Sequence, residues 1–404
     1  MRIHIVDTLL EDHLTHSLAS ALRELGHEVT CTGPVWHGWR LPRKGPERER
    51  VDEVVTEVLA ARPDVVLAMR TATLDEGHLR RLRRHGVFTA GWFSDDPVLF
   101  AKQSRRIAPH YDLTVHAAMG PVLELYEREL GVRGLGMQFW AADADFPQCY
   151  DPAACDVDLV FIGNTHTGVK RWRYDWIAAL PVTRVVYGKT SEDPAGIAAG
   201  QIDDPVELAR CSARGRFGLS ISQRFADYEG TIFDFSGLAE LGEFPLPSRV
   251  VQLASAGVPV LALVASTRAA ADLAVLFPPV VVIEEAEQVG DVVAAHDDVA
   301  LAGLSRTTRA WCEQHYRPAA RARFLHAVLH RPGRYRRLDA DARATAFLDH
   351  PTPDQAWIRR VRRTMPLTDA VWRLRRRSRR LVGRGLARTR RLAGRVRGVR
   401  GRRR

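Results

Sequence analysis

The chain has 404 residues, of which 46% are hydrophobic and 26% charged, a composition typical of a globular protein long enough for two domains. Its five cysteines form no Cys-x-x-Cys pair and their number is odd, which argues against a disulfide framework or a zinc cluster and favours a reducing cytoplasm. No apolar run approaches the roughly 18–20 residues that span a bilayer, and because a predicted strand begins at residue 2, we expect no signal peptide.

The formal net charge of +11 combines two parts of opposite sign. Residues 358–404 contain 20 arginines, no lysine and one acidic residue, Asp369, so this segment carries about +19. The other 357 residues therefore sum to about −8. Such an asymmetry suggests a polyanionic partner for the basic segment.

The N-terminal half alternates predicted strands and helices. Apolar residues at spacings of four and three predict a helix over 10–25, between strands at 2–6 and 28–31. The alternation continues through residue 115 and is typical of a Rossmann-like α/β domain. No Gly-x-Gly-x-x-Gly follows the first strand, which disfavours a dinucleotide-dependent oxidoreductase.

A polar turn with two adjacent acids ends the predicted strand before residue 94. Ligands of parallel sheets bind at the carboxyl ends of strands, so Asp95 and Asp96 are candidate substrate contacts. The alternative is an ordinary turn with Pro97 at the first position of a helix. Two carboxylates are too few for a metal site, and we predict none.

The second half begins with an apolar strand over 159–162 that ends in Gly163 and Asn164, with a helix starting near Lys170. Backbone N–H groups at such a helix start form a phosphate-binding nest. The alternative is a solvated loop with a surface lysine. Another predicted strand ends at Gly188, and residues 228–244 form a long acidic and aromatic loop.

Residues 247–260, with the sequence PSRVVQLASAGVPV, predict a short helix, a glycine stop and a buried strand. Gly257 can adopt the left-handed conformation that ends a helix, and Pro259 prevents the helix from continuing. On pattern alone, this is equally an ordinary unit of any parallel α/β sheet.

The same stretch resembles the nucleotide-sugar-binding helix of GT-B glycosyltransferases. Trp92 with the two acids before Pro97, and the segment 137–147, resemble the CgeB type of spore-maturation glycosyltransferase. The resemblance covers residues 1–330 and implies an α/β, GT-B fold with two Rossmann-like domains facing a central cleft. The expected divisions are an acceptor domain over 1–150, a donor domain over 151–335 and an Arg-rich extension over 336–404.

The resemblance implies that Lys170 and Arg249 hold the donor diphosphate, Gln252 the ribose and the loop after Gly257 the sugar. Asn164 stands where the family usually has Arg, and Gln252 where it has Glu. The donor-binding residues implied are Gly163, Asn164, Lys170, Gly188, Arg249, Gln252 and Gly257. Asp95 and Asp96 are assigned to the acceptor side, and no catalytic base is identified.

The expected function is metal-independent transfer of a sugar, with retention of configuration, from a nucleotide-sugar to an acceptor. The acceptor class is open among a cell-envelope glycan, a lipid, a protein and a small molecule, and no cofactor is expected. One alternative is a catalytically impaired GT-B-shaped protein that binds nucleotide or glycan, since amides replace two charged positions. Another is a protein that binds nucleic acid through its basic segment.

The segment beyond residue 350 lies outside the resemblance. Apolar residues at near-helical spacing between Val371 and Val396, with arginine on the other faces, predict a basic amphipathic helix on an anionic membrane surface or another polyanion. We expect a cytoplasmic protein, located in part at the inner face of the membrane. A nucleic-acid-binding arm and a solvated tail without a partner are the alternatives.

Overall fold

The computed structural model describes residues 1–7, 13–33, 44–70, 74–165, 168–190 and 192–374. Contacts divide the chain into two compact units, Met1–Pro353 and Asp354–Arg404. All five cysteines are free thiols. Within the described residues, no helix is both long and apolar enough to cross a membrane.

The first sheet is parallel, with the strand order β2-β1-β3-β4-β5-β6. Its strands are β1 Arg2–Val6, β2 Glu28–Thr32, β3 Val65–Met69, β4 Phe88–Phe93, β5 Leu113–His116 and β6 Leu135–Gly136. Strand β1 lies between β2 and β3, and its Ile5 pairs with Cys31 on one side and Leu67 on the other. Parallel sheets of this kind are covered on both faces by helices.

The helices of the first sheet follow the predicted alternation. They are α1 His13–Glu24, α2 Pro46–Ala60, α3 Glu76–Arg84, α4 Arg105–Ile107 and α5 Gly120–Leu130. Helix α1 buries Leu14, Leu18 and Leu22, which confirms the amphipathic pattern, whereas Leu10 lies outside the described residues. Helix α3 is capped at its N-terminus by Asp75, whose carboxylate accepts a hydrogen bond from the His78 backbone N–H at 3.0 Å.

The second sheet is also parallel, with the order β13-β12-β9-β7-β8. Its strands are β7 Val157–Ile162, β8 Arg184–Tyr187, β9 Gly215–Ile221, β12 Val260–Leu263 and β13 Val281–Ile283, and β10 Gln223–Arg224 pairs separately with β11 Glu243–Phe244. Its helices are α6 Gly168–Ala178, α7 Pro205–Ser212, α8 Ser248–Ala256, α9 Thr267–Leu276, α10 Glu287–Ala295 and α11 Asp298–His315.

After the second sheet, the chain returns to the first. Helix α12 Pro318–His330 packs on α1, and α13 Pro332–Tyr335 leads to α14 Ala340–Thr345, which packs on α5 and β6. On α14, the fully buried Arg343 donates to the Glu127 carboxylate at 2.5 Å. Residues 336–353 therefore belong to the compact body, although the sequence analysis assigned them to the extension.

A buried arginine on α12 fixes the segment that connects the two sheets. Arg321 is fully buried and donates hydrogen bonds to the carbonyl oxygens of Gln138 at 2.9 Å and Phe139 at 3.2 Å. It also donates to the carbonyl oxygen of His315 at 2.6 Å. The Arg321 guanidinium thus holds the segment that crosses between the sheets, at residues 138–139, against helix α12.

Candidate functional site

Three basic side chains gather at the carboxyl edge of the second sheet. Lys170 and Arg173 lie on α6, and Arg249 lies in the first turn of α8. Burial, and then the charges of Arg173 and Arg249, lower the pKa of Lys170, and burial and Arg173 lower the pKa of Arg249. We call Lys170, Arg173 and Arg249 the basic cluster.

The position of Arg249 depends on the glycine at the end of β7. Its guanidinium donates to the carbonyl oxygen of Ile162 and lies 5.2 Å from the centre of the Phe161 ring. Gly163 has a φ of +155°, and a methyl group built there would overlap the Arg249 guanidinium. Only glycine therefore fits this position without moving Arg249.

The basic cluster has nearby acids but no ion pair with them: Asp95 acts on Lys170 and Asp227 on Arg173 only through their electrostatic fields. Burial is the largest cause that lowers the pKa of all three side chains. No carboxylate among the described residues forms an ion pair with Lys170, Arg173 or Arg249. Burying several like charges is unfavourable. A bound anion would offset this cost and stabilise the protonated side chains, so such a cluster favours anion binding.

Two loops are joined beside the basic cluster. The side-chain oxygen of Asn164 accepts a hydrogen bond from the Lys189 backbone N–H at 3.2 Å, and Thr165 N–H donates to the Lys189 carbonyl at 3.0 Å. Gly188 has a φ of +145°, and a methyl group there would overlap the Gly163 carbonyl. Asn164 therefore connects the loops after β7 and β8 in this structure.

The structure separates Gly257 from the other predicted donor residues. Helix α8 runs Ser248–Ala256, and Gly257 ends it in the predicted left-handed conformation, with a φ of +86°. In a parallel α/β sheet a helix runs against the strands, so Gly257 lies at the opposite edge, about 12 Å along the axis from Arg249. The expectation that the loop after Gly257 holds the sugar is therefore corrected. Gln252 is one turn from Arg249 and half-buried.

The two adjacent acids after β4 have different environments. Asp95 is exposed, accepts a hydrogen bond from the Ser94 hydroxyl at 2.8 Å, and its charge raises the pKa of Lys170. Asp96 is buried and accepts hydrogen bonds from the hydroxyls of Ser104, at 2.8 Å, and Tyr126. Burial raises the pKa of Asp96 to about 7. Only Asp95 is thus placed to contact a ligand, while Asp96 supports the turn from inside.

Sequence reasoning did not identify Arg173. Its side chain is 5% exposed and donates to the Ser222 carbonyl at 3.4 Å, at the end of β9. Arg173 follows Lys170 by three residues, so both lie on one face of a helix. This spacing is the sequence pattern that could have identified Arg173.

Glu243 is a second residue whose role the sequence did not show. Its carboxylate accepts hydrogen bonds from the Ser222 and Ser266 hydroxyls and from the Ala265 backbone N–H at 3.0 Å. It therefore ties the end of β9 to the turn after β12. These contacts join residues about 20 positions apart, which no local motif encodes.

The long loop between β10 and β11 extends to the first sheet. The ring of Phe235 lies 5.3 Å from that of Phe100, and Leu241 packs on the same core cluster. At the start of the loop, Asp227 accepts a hydrogen bond from the Trp172 indole at 3.0 Å. The loop thus spans the two sheets beside the basic cluster.

No group of three or more histidine, cysteine or acidic side chains in the described part of the chain could hold a metal ion. No family model and no curated protein matches this chain. Among solved structures, sucrose-phosphate synthase from Thermosynechococcus elongatus matches with a TM-score of 0.54 at 13% identity, covering 83% of this chain and 99% of that one. HepE from Anabaena, in complex with UDP-glucose, matches with a TM-score of 0.53 at 12% identity, covering 81% and 99%.

The chain has the GT-B fold. Its structural neighbours are GT-B glycosyltransferases, as the sequence analysis expected. Identities this low show the fold alone, so the activity has to be argued from the site.

Proposed function

We propose that this protein is a glycosyltransferase that moves a sugar from a nucleotide-sugar donor to an acceptor. The fold supports the proposal, because HepE shares it and was solved with UDP-glucose bound. The basic cluster supports it independently, because buried like charges at the carboxyl edge of a parallel sheet favour a bound anion.

The basic cluster is the observation that carries the proposal. In sugar transfer, the bond between the anomeric carbon and a diphosphate oxygen breaks, and negative charge develops on the departing nucleoside diphosphate. Lys170, Arg173 and Arg249 would stabilise that charge where α6 and α8 begin, with the helix N-termini adding partial positive charge. Such stabilisation needs no metal ion, so we include metal independence in the proposal.

The remaining roles are assigned by position. Gly163, Asn164 and Gly188 would form the loop that receives the diphosphate, and Gln252 would hydrogen-bond the ribose. Asp95 would contact the acceptor from the first sheet. The proposal keeps the acceptor domain at 1–150 and the donor domain at 151–335.

The CgeB subtype and retention of configuration rest on the sequence resemblance and are part of the same proposal. A cytoplasmic location and binding of a polyanion by residues 358–404 also stay predictions, since most of that segment lies outside the described residues. The sugar and the acceptor are left open.

Thermal unfolding of the full chain with UDP-, GDP- and dTDP-sugars tests the proposal. A ligand at 100 times its dissociation constant should raise the free energy of unfolding by about 2.7 kcal/mol. The shift should disappear in Lys170→Met and persist in Lys102→Met, which removes an exposed lysine elsewhere. Release of free sugar or nucleoside diphosphate would then distinguish an enzyme from an impaired binder. No shift with any nucleotide-sugar would overturn the proposal.

A further inference from the structure

A helix at the start of the second compact unit exposes large apolar side chains. It extends over residues 355–374 of the described chain. Leu367, Val371 and Leu374 are 74%, 48% and 65% exposed. Their spacings of four and three residues place them in one row along the helix. Single exposed leucines are common in proteins, but a row on one face indicates a surface that contacts something else.

Arginines occupy the same side of this helix, closer to its N-terminus. Arg363 lies four residues and Arg360 seven residues before Leu367, so they continue the row, and Arg359 flanks it. All three arginines are exposed. None of them pairs with a carboxylate in the part of the chain that the structure describes. The exposed side of the helix is therefore basic in its first half and apolar in its second.

The sequence that follows has the same character. Residues 375–404 lie outside the described residues, and their sequence contains 15 arginines and no acidic residue. The 353 residues before this unit sum to about −7. Positive charge is thus concentrated in the sequence that directly follows the exposed apolar row.

We propose that Arg359, Arg360, Arg363, Leu367 and Val371 form a surface that docks on a membrane rich in anionic phospholipid; we call this surface the outer face. Guanidinium groups present forked donors that match the oxygens of headgroup phosphates. Leucine and valine side chains one or two turns further along would enter the boundary between headgroups and acyl chains.

The apolar half of the outer face favours a membrane over a nucleic acid. A nucleic-acid backbone would satisfy the arginines, but it would leave Leu367 and Val371 in contact with water or with phosphate. A lipid surface satisfies both halves, since anionic headgroups lie directly above hydrocarbon. The inference is independent of the proposed sugar transfer.

Co-sedimentation of the full chain with sucrose-loaded vesicles tests this inference. We expect binding to phosphatidylcholine vesicles that contain phosphatidylglycerol and little binding to phosphatidylcholine alone. Replacing Arg359, Arg360 and Arg363 together by glutamine should weaken binding about a hundredfold, at roughly fivefold for each arginine. The double variant Leu367→Gln/Val371→Gln keeps the charge and should weaken binding about tenfold or more.

Matched controls separate the outer face from general charge and hydrophobicity. The triple variant Arg80→Gln/Arg105→Gln/Arg128→Gln removes the same charge from side chains that are 55%, 62% and 67% exposed. The double variant Val275→Gln/Val299→Gln removes apolar side chains that are 54% and 79% exposed. Both controls should bind vesicles like the unaltered protein. Because every substituted residue is exposed, the variants should fold normally, which thermal unfolding checks.

Four results would overturn the inference. The first is no binding to anionic vesicles. The second is undiminished binding by Leu367→Gln/Val371→Gln, which would indicate a purely electrostatic tail or, if oligonucleotides displace the vesicles, a nucleic-acid-binding arm. The third is equal weakening by the control arginines. The fourth is a dimer that the apolar double variant converts to monomer in light scattering, which would identify a second copy of the chain as the occupant.

Discussion

At the scale of single residues, Gly163 links a backbone conformation to the basic cluster. Its φ of +155° is unfavourable for any residue with a Cβ, and that Cβ would meet the Arg249 guanidinium. In the sequence, this glycine is marked only by its place after a strand. The structure adds a reason that depends on Arg249, a residue 86 positions away.

We predict that Gly163→Ala lowers nucleotide affinity about tenfold or more and lowers the free energy of unfolding by roughly 1–2 kcal/mol. The backbone strain destabilises the fold, and displacement of Arg249 weakens anion binding. Calorimetric titration and urea unfolding measure the two effects. Gly196→Ala is a matched control, because Gly196 also has a positive φ, of +63°, but faces open space. It should lose stability without losing affinity, and equal affinities of the two variants would contradict the role of Gly163.

Asp95 places a negative charge near the basic cluster and so reduces its attraction for an anion. Its negative charge stabilises the protonated form of Lys170 and also repels an incoming diphosphate. We therefore predict that Asp95→Asn binds nucleoside diphosphate about two- to fivefold more tightly at low salt, with a smaller gain at high salt. Asp175→Asn, an exposed change on α6, should leave the affinity unchanged. Weaker binding by Asp95→Asn would instead indicate that Asp95 contacts the nucleotide itself.

The pKa of Lys170 predicts how binding depends on pH. Burial, Arg173 and Arg249 lower it from the ordinary value of 10.5, so Lys170 loses its proton at a lower pH than an exposed lysine. A diphosphate binds the protonated form, so affinity should fall as pH rises through this lowered pKa. Calorimetry across alkaline pH in buffers of different ionisation enthalpy should also detect proton uptake on binding. Lys170→Met should reduce both effects and leave only the contribution of Arg249, whose pKa burial lowers to about 9. An unchanged pH profile in that variant would contradict the assignment.

At the scale of elements, helix α12 holds the segment between the two sheets with the buried side chain of Arg321. Arg321 is fully buried and satisfies carbonyl oxygens of the crossing segment. Methionine is unbranched like the arginine stem but shorter and without donors, so Arg321→Met leaves those carbonyls without partners. We predict a loss of roughly 2–4 kcal/mol in the free energy of unfolding by urea. Arg331→Met, at an exposed position just after the helix, should change it by less than about 0.5 kcal/mol.

The elements were predictable from sequence to a greater extent than the site. Alternating apolar strands and amphipathic helices predicted the parallel α/β class, and Gly257 correctly marked the end of α8. Its function was assigned to the wrong edge of the sheet, because a motif gives order along the chain and not the direction in which a helix runs. Asp95 and Asp96 are adjacent and chemically identical in the sequence. In the structure, only Asp96 is buried, where it accepts hydrogen bonds from the hydroxyls of Ser104 and Tyr126. Such contacts depend on elements that meet only after folding.

At the scale of the whole molecule, charge and fold are distributed unequally. The compact body contains both sheets, the basic cluster and the returning helices α12 to α14. The excess positive charge lies almost entirely in the second unit, whose last 30 residues contain 15 arginines. Donor binding and the attraction to an anionic surface are therefore assigned to separate parts of the chain.

This separation predicts the effect of deleting residues 375–404. The deletion changes the formal net charge from +11 to −4 and leaves the basic cluster intact. The thermal shift with a nucleotide-sugar should therefore be the same as in the full chain, while binding to anionic vesicles should fall at least tenfold because the arginines that attract headgroups are gone. Deleting 30 residues could also act through size alone, so a full-length chain with those 15 arginines replaced by glutamine is the control and should behave like the deletion. Loss of the nucleotide-induced shift in either protein would show that the basic segment takes part in donor binding and that the two activities share one site.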